Sequence, residues 1–208
     1  AQRKNGEQFP ELLSISVIRN AANQITHYVG VFNDISDQKD QEERLRRRAL
    51  YDPLTALPNR FLLLDHLEKA IERASRRQLK LAVCFMDLDH FKPVNDTYGH
   101  ETGDQLLKQI AVRLVRTLRK SDFVGDEFVL VLEDIDGLAQ VECVAQKVVD
   151  ALREPFALND VTVEIGCSIG IALYPDHAER AKTLLRYADE ALYETKEAGR
   201  DGYRITRR

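Results

Sequence analysis

The chain has 208 residues, of which 44% are hydrophobic and 31% charged, a balance typical of a soluble globular protein of one or two domains. Its 30 basic and 34 acidic residues leave a formal net charge of -4, which argues against nonspecific binding to nucleic acid or to a membrane surface. No apolar run approaches the ~18 residues of a membrane span, and no signal-peptide pattern is present. We therefore expect a cytoplasmic protein, either by itself or as the cytoplasmic part of a longer, membrane-attached one.

The three cysteines, Cys84, Cys143 and Cys167, lie far apart inside apolar patterns. No two of them have the spacing of metal ligands, and an odd number argues against a disulfide framework. The sequence predicts three reduced thiols in the protein core.

The first 50 residues predict a β-hairpin followed by a charged helix. Strand patterns cover residues 12–18 and 25–32. Because a lone hairpin is marginally stable in water, we expect this one to be the remnant of a larger domain or to pack on something else. Residues 37–50 are interpreted either as a solvated linker helix or as a short parallel coiled coil, for which Leu45 alone would form the seam.

From residue 51 onward, apolar patterns alternate between helical and strand periodicity. The predicted helices follow Pro58 and cover residues 91–98, 103–118, 141–152 and 181–197. The predicted strands cover residues 81–86, 127–132, 161–165, 167–173 and 202–205. Antiparallel and parallel strands with helices on one face predict an α+β fold with a ferredoxin-like, mostly antiparallel central sheet.

An acidic pair stands at the start of one predicted strand. Asp126 and Glu127 follow Gly125 and lead directly into an apolar run. This order predicts a tight turn at which carboxylates can meet a metal ion. Mg²⁺ takes oxygen ligands and is usually held by one or two carboxylates plus substrate phosphates.

A second acidic pair, Asp87 and Asp89, stands at the end of the apolar run 81–86. A strand end would present Asp87 on one side, with the Leu88 carbonyl beside it. Lys92 follows closely enough to contact a phosphate, and phosphoryl transfer depends mainly on positioning and on neutralising charge. The alternative is a strand that ends in a solvated acidic loop.

Two further motifs suit nucleotide binding. Asn95 offers a donor and an acceptor and Asp104 accepts two N–H bonds, so together they can read the edge of guanine. The alternative is that Asp104 caps the following helix. Lys196 and Arg200, around Gly199, can hold phosphates, although basic residues are also ordinary at a helix C-terminus.

Taken together, these motifs resemble the GGDEF-domain diguanylate cyclases. The matching segments follow the family's order and are residues 52–60, 85–104, 125–128, 168–172 and 188–200. The resemblance implies a palm-like fold related to nucleotidyl cyclases and polymerases. It also implies that two GTP molecules are condensed into cyclic di-GMP with release of pyrophosphate, by a homodimer in which each subunit holds one GTP.

The resemblance also implies roles for individual residues. Asp87, the Leu88 carbonyl and Asp126 would ligate Mg²⁺ or Mn²⁺, and Asp126 would stand near the attacking hydroxyl as its proton acceptor. Lys92 would stabilise the phosphate charge of the transition state. Glu127 completes the family signature with a less certain role.

The nucleotide itself would be held by a second group of residues. Asn95 and Asp104 would read guanine, and His100 would lie near the nucleotide. Lys196 and Arg200 would hold its phosphates.

Arg119 and Asp122 resemble the R-x-x-D product-inhibition site of the family. Arginine can clamp a phosphate or stack on guanine, and aspartate can accept from the guanine edge. The resemblance therefore implies that cyclic di-GMP acts as an inhibitor as well as the product.

The segment between Asp122 and Gly125 departs from the family pattern, since it is about four residues short and lacks the first glycine of the signature. Either the protein carries a real deletion, or the sequence lacks residues that the protein contains. We favour the second interpretation because every flanking motif is intact. A real deletion would favour a module that binds GTP or cyclic di-GMP without turnover and regulates a neighbouring domain.

The N-terminal hairpin and helix, with residues 28–36, resemble the closing strands and exit helix of a PAS sensor domain. The expected organisation is a PAS remnant over residues 1–36, a linker helix over 37–50 and a GGDEF domain over 51–208.

Overall fold

The computed structural model describes residues 1, 2, 4, 6 and 8–207. The chain divides into two compact units, Ala1–Ala49 and Leu50–Arg208. The second unit carries every predicted site residue.

The first unit contains the predicted hairpin and all of the predicted helix except its last residue. Strands β1 (Glu11–Arg19) and β2 (Ile25–Asp34) pair antiparallel and are followed by helix α1 (Ser36–Leu50). The Asn20 side chain closes the turn between the strands by accepting the N–H groups of Ala22 and Gln24. Every residue of both strands is exposed, and no residue of α1 is buried, so the apolar side chains of the hairpin cover nothing within this unit.

The second unit is built on a five-stranded sheet. Its strands are β3 (Lys80–Asp89), β4 (Phe123–Val124), β5 (Val129–Ile135), β8 (Gly166–Tyr174) and β9 (Gly202–Ile205). They lie in the order β4-β5-β3-β8-β9, antiparallel except for the pair β8 and β9. The short strands β6 (Phe156–Leu158) and β7 (Val161–Val163) form a separate hairpin. The predicted α+β fold with a mostly antiparallel central sheet is confirmed.

Helices cover both faces of the sheet, so the prediction that they lie on one face was wrong. Helices α4 (His100–Thr117) and α5 (Leu138–Arg153) pack in one apolar cluster, while α2 (Arg60–Arg77) and α6 (Ala181–Glu197) pack in the other. The reason is the composition of β3, which is apolar at successive positions instead of alternating. Ala82 and Cys84 enter the first cluster, and Leu81 and Val83 enter the second.

The remaining helix, α3 (Phe91–Tyr98), follows β3 directly and packs against α4. It begins after His90, whose backbone is left-handed with φ 61°, and ends at Gly99 with φ 84°. A glycine is suited to that position because positive φ costs it nothing. The chain can therefore pass from α3 into α4 in a single residue.

The cysteines follow the prediction at two positions of three. Cys84 and Cys167 are buried thiols, whereas Cys143 is exposed on α5. The prediction of three core thiols was therefore wrong for Cys143, which lies among apolar residues in the sequence but outside the buried stripe of its helix. Within the described residues, no helix has the length and apolar character to cross a bilayer.

Candidate active site at the signature turn

The turn formed by residues 125–128, called here the signature turn, joins β4 to β5. The N–H of Gly125 donates to the Val129 carbonyl at 2.9 Å, and the N–H of Phe128 donates to the Gly125 carbonyl at 3.0 Å. Phe128 takes a left-handed backbone with φ 52°. The strand before the turn has only two residues, Phe123 and Val124. That strand was not predicted because two residues show no periodicity.

Asp126 is half-buried in this turn. Its carboxylate accepts the N–H of Glu127 at 2.9 Å, and its own N–H donates to the Pro58 carbonyl at 2.8 Å. Burial raises the pKa of Asp126, the negative charges of Glu127 and Asp52 raise it further, and the hydrogen bond from Glu127 opposes the rise. Asp126 therefore lies among negative charge.

The strand end that carries Asp87 runs beside the turn. The N–H of Met86 donates to the Phe128 carbonyl at 3.2 Å, so the two predicted acidic sites lie on neighbouring strands. Asp87 is exposed and forms an ion pair with Lys196 at the end of α6. The Leu88 side chain is buried in the core, so this residue can offer a ligand only through its main-chain carbonyl.

Asp89, the second member of that acidic pair, has a different place. It is 5% exposed, and its two oxygens accept the Ser168 hydroxyl at 2.8 Å and the Asp201 N–H at 2.9 Å. The alternative of a solvated acidic loop is wrong for this residue. Asp89 instead ties the end of β3 to β8 and to the turn before β9, because a buried carboxylate must be hydrogen-bonded.

The predicted metal ligands fit a divalent cation by their chemistry. Asp87, Asp126 and the Leu88 carbonyl offer oxygen atoms only, which is what Mg²⁺ and Mn²⁺ prefer. Burial is the main cause of the raised pKa of Asp126, and the negative charges of Glu127 and Asp52 add to it; a bound cation would favour the ionised carboxylate against both. Among the described residues, no group of three or more His, Cys, Asp or Glu side chains could hold a metal by itself, so these two carboxylates would need oxygens from the main chain and from substrate.

The two residues predicted to read guanine, Asn95 and Asp104, lie on the packed helices α3 and α4. A Cβ added to Gly103 would lie 1.8 Å from Oδ1 of Asn95, so the Asn95 amide rests directly on the residue that precedes Asp104. Asp104 lies inside α4, whose N-cap is Gly99, which excludes the alternative that Asp104 is the helix cap. Gly103 was not singled out in the sequence, although glycine within a helix calls for a packing explanation.

The remaining predicted contacts with nucleotide are exposed. Lys92 lies in the first turn of α3, and His100 begins α4. Arg200 follows Gly199 and has a left-handed backbone with φ 65°. Its N–H donates to the Thr195 carbonyl at the end of α6. These side chains can rearrange around a bound ligand because none is fixed in the core.

The Arg119–Asp122 motif forms a closed turn. The Asp122 carboxylate accepts the Arg119 N–H at 3.0 Å, and the Asp122 N–H donates to the Arg119 carbonyl at 3.0 Å. Burial raises the pKa of Asp122, while N–H groups of Arg119 and Glu133 oppose the rise. The carboxylate predicted to bind product therefore already accepts from its own main chain.

Two residues that act on the signature turn were not predicted from the sequence: Arg60, which binds Glu127, and Asp52, whose charge raises the pKa of Asp126. Arg60 donates through Nη1 to both carboxylate oxygens of Glu127, at 3.0 and 2.9 Å. The signal was present, because residues 52–60 form the first segment that resembles the family. The role of residues 52–60 could not be predicted, because their residue types and spacing indicate neither a catalytic nor a binding site.

Comparisons of the sequence and of the fold with known proteins identify the family of the chain. The family described as diguanylate cyclase, GGDEF domain, matches residues 49–202. MucR of Pseudomonas aeruginosa, a bifunctional diguanylate cyclase/cyclic di-GMP phosphodiesterase, is 46% identical over 159 residues, which cover 74% of this chain and 23% of MucR. The diguanylate cyclase TpbB of Pseudomonas aeruginosa is 39% identical over 172 residues, which cover 80% of this chain and 40% of TpbB.

A solved structure shows the same fold. The GGDEF domain of TpbB from Pseudomonas aeruginosa superposes with a TM-score of 0.73 at 38% identity, and the match covers 75% of this chain and 94% of that one. The chain thus spans less than half the length of the two curated relatives. The residues that match the family, 49–202, lie almost entirely in the unit that carries the signature turn. On this sequence and structural similarity, the chain belongs to the GGDEF domain family of diguanylate cyclases.

Proposed function

We propose that this protein condenses two GTP molecules into cyclic di-GMP and releases two pyrophosphates. The observation that carries the proposal is the hydrogen bond from Met86 to Phe128, which sets the signature turn beside the strand end that carries Asp87. Asp126 and Asp87 thereby lie at the same end of the neighbouring strands β5 and β3, near the start of α3 and the end of α6. These are the elements from which a nucleoside triphosphate would be held.

In the proposed reaction, the 3′-hydroxyl oxygen of each GTP forms a bond to the α-phosphorus of the other. The bond from that phosphorus to the bridging oxygen breaks, and pyrophosphate leaves with the electron pair. Asp126 accepts the hydroxyl proton, a task for which its raised pKa suits it. Because one subunit holds one GTP, two subunits must face each other, and the active form is a homodimer.

The other residues bind and orient the substrate. Mg²⁺ or Mn²⁺, held by Asp87, Asp126 and the Leu88 carbonyl, would supply positive charge at the phosphates. Lys92 adds charge as the transition state forms. Lys196, now paired with Asp87, would turn to a phosphate when a metal ion replaces it on that carboxylate.

Guanine would be read by Asn95 and Asp104, with His100 beside the nucleotide. The placement of Asn95 on Gly103 supports this assignment because it fixes the amide next to Asp104. Arg200 would hold a phosphate.

The first test is synthesis by the purified protein. With GTP and Mg²⁺, we expect cyclic di-GMP and pyrophosphate from the wild type and none from D126N. Folding disfavours the ionised form of Asp126, whose pKa lies above its ordinary value of 3.8, so stability falls as pH rises above that value. At pH 7, D126N should therefore melt at or above the wild-type temperature. A lower melting temperature would attribute the lost activity to a folding defect and not to the missing proton acceptor.

A second candidate function is a module that binds GTP or cyclic di-GMP without turnover. It is favoured by the short strand β4, since only Phe123 and Val124 separate Asp122 from the signature turn. The intact mass of the purified protein distinguishes a real deletion from residues that the sequence lacks. A mass roughly four residues above that of the sequence would indicate the second. GTP binding without product at the mass of 208 residues would establish this second function.

Product inhibition is proposed for Arg119 and Asp122. Both can contact a guanine or a phosphate, provided that the bound product replaces the main-chain donors of Asp122. R119A should weaken inhibition by added cyclic di-GMP while its initial rate stays near that of the wild type. Equal inhibition of R119A and the wild type would contradict the assignment of product inhibition to Arg119 and Asp122.

The first unit is proposed to belong to a sensor that governs the relative placement of two catalytic domains. Support comes from the wholly exposed apolar side chains of β1 and β2, which need a covering partner. The PAS assignment of residues 1–36, the linker over 37–50 and the domain over 51–208 remain predictions.

A further inference from the structure

The loop that precedes α2, residues 51–59, resembles the family but has no role in the proposed reaction. It is closed on itself by its main chain. The N–H of Asn59 donates to the Leu50 carbonyl and the N–H of Asp52 donates to the Leu57 carbonyl, both at 2.8 Å. The Asp52 carboxylate accepts the Thr55 N–H and hydroxyl at 2.7 Å each. The loop is therefore ordered by its own contacts.

This loop and the first turns of α2 support the signature turn at several points. The Pro58 carbonyl accepts the N–H of Asp126 at 2.8 Å. A Cβ added to Gly125 would lie 3.3 Å from the Leu63 side chain, so the turn rests on the first turns of α2. Arg60 then binds both oxygens of Glu127, the residue that follows Asp126.

The ion pair between Arg60 and Glu127 is exposed. The two side chains are 66% and 39% accessible, and exposed pairs of this kind contribute little to global stability. Glu127 nevertheless also donates its N–H to the Asp126 carboxylate. A group that holds Glu127 in place therefore also fixes the direction in which that carboxylate points.

We propose that Arg60 is a positioning residue, which holds the signature turn on the 51–59 loop through Glu127 and so sets the orientation of the Asp126 carboxylate. This inference rests on the proposed cyclase reaction for its effect on rate, but the contact itself can be tested without turnover. The strand before the turn, β4, contributes only two residues of ladder.

The structure offers a matched control on the same helix. Arg77, near the end of α2, donates through Nη1 to both oxygens of Asp134 at 3.2 and 3.0 Å, and these side chains are 61% and 51% accessible. This pair joins α2 to β5, at the end of β5 away from the signature turn. R60A and R77A therefore remove equivalent exposed ion pairs, one at the turn and one remote from it.

The experiment compares the wild type, R60A, R60K and R77A in the full chain. Hydrogen exchange of the amides of residues 126–128 reports on the turn, and GTP turnover reports on the reaction. We expect R60A to speed exchange of these amides about tenfold and to lower kcat about tenfold with little change in KM, whereas R77A does neither. R60K, which keeps the charge without the planar guanidinium, should recover part of both effects.

The outcomes separate this inference from the proposed function. If R60A and R77A match in exchange and in kcat, Arg60 does not position the turn. Faster exchange with unchanged kcat, or a lower kcat with unchanged exchange, overturns the inference as well. If the wild type makes no cyclic di-GMP, the proposed reaction fails, while the exchange of R60A against R77A still decides whether Arg60 holds the turn.

Discussion

The Asn95 side chain can occupy its position only because Gly103 has no side chain. The Asn95 amide occupies the space where any larger residue at 103 would place its Cβ. The packing of α3 on α4 thereby fixes a donor and an acceptor next to Asp104. At this scale, specificity for guanine would depend on a position that has no side chain.

N95A should reduce the preference for GTP over ATP, measured as the ratio of the two kcat/KM values, by at least about tenfold. A polar site discriminates strongly when its partner group is missing. G103A should reduce the same ratio because its methyl group would displace the Asn95 amide. D96A, a change at the adjacent exposed residue of α3, serves as the control. If all three variants keep the wild-type ratio, Asn95 does not read guanine.

At the scale of the elements, α6 packs closely against β8. Gly170 of β8 lies under α6 so closely that a Cβ there would stand 2.0 Å from the Ala188 carbonyl oxygen and 2.1 Å from the Leu192 nitrogen. Those atoms belong to the helix main chain and cannot move aside as a flexible side chain could. The contact matters for the site because α6 carries Lys196.

G170A should therefore lower the free energy of unfolding by about 3 kcal/mol or more, as measured by urea denaturation. G137A is the matched control, since a Cβ at Gly137 meets nothing within 4 Å and its backbone is extended. This control should be neutral or slightly stabilising because alanine restricts the unfolded chain. Equal stabilities of the two variants would show that α6 can shift away from β8.

Some elements could be predicted from sequence because their patterns are long and regular. The periodicity around residues 181–197 marks α6 within its observed bounds, and residues 202–205 mark β9. Strand β6 escaped prediction because three residues carry no period. The contact of Arg60 with Glu127 joins positions 67 residues apart, and only the folded chain shows that they meet.

For the whole molecule, the division into two compact units predicts how the chain responds to protease. The strands of the first unit are exposed at every residue, and α1 has no buried residue, so cleavage there requires little unfolding. Limited trypsin treatment should cut within residues 1–49 first and leave a resistant product close to Leu50–Arg208. First cuts inside the five-stranded sheet, read by mass spectrometry, would contradict this division.

The burial of two thiols has a practical consequence for studying the protein. Burial raises the pKa of Cys84 to about 12 and also raises that of Cys167, so neither forms the reactive thiolate at neutral pH. Cys143 stands exposed on α5, on the helix surface away from the core. A maleimide fluorophore or spin label would therefore attach at one defined point of the natural sequence. In the proposed homodimer, two labelled subunits would then report their separation by energy transfer or by pulsed electron resonance, without any engineered cysteine.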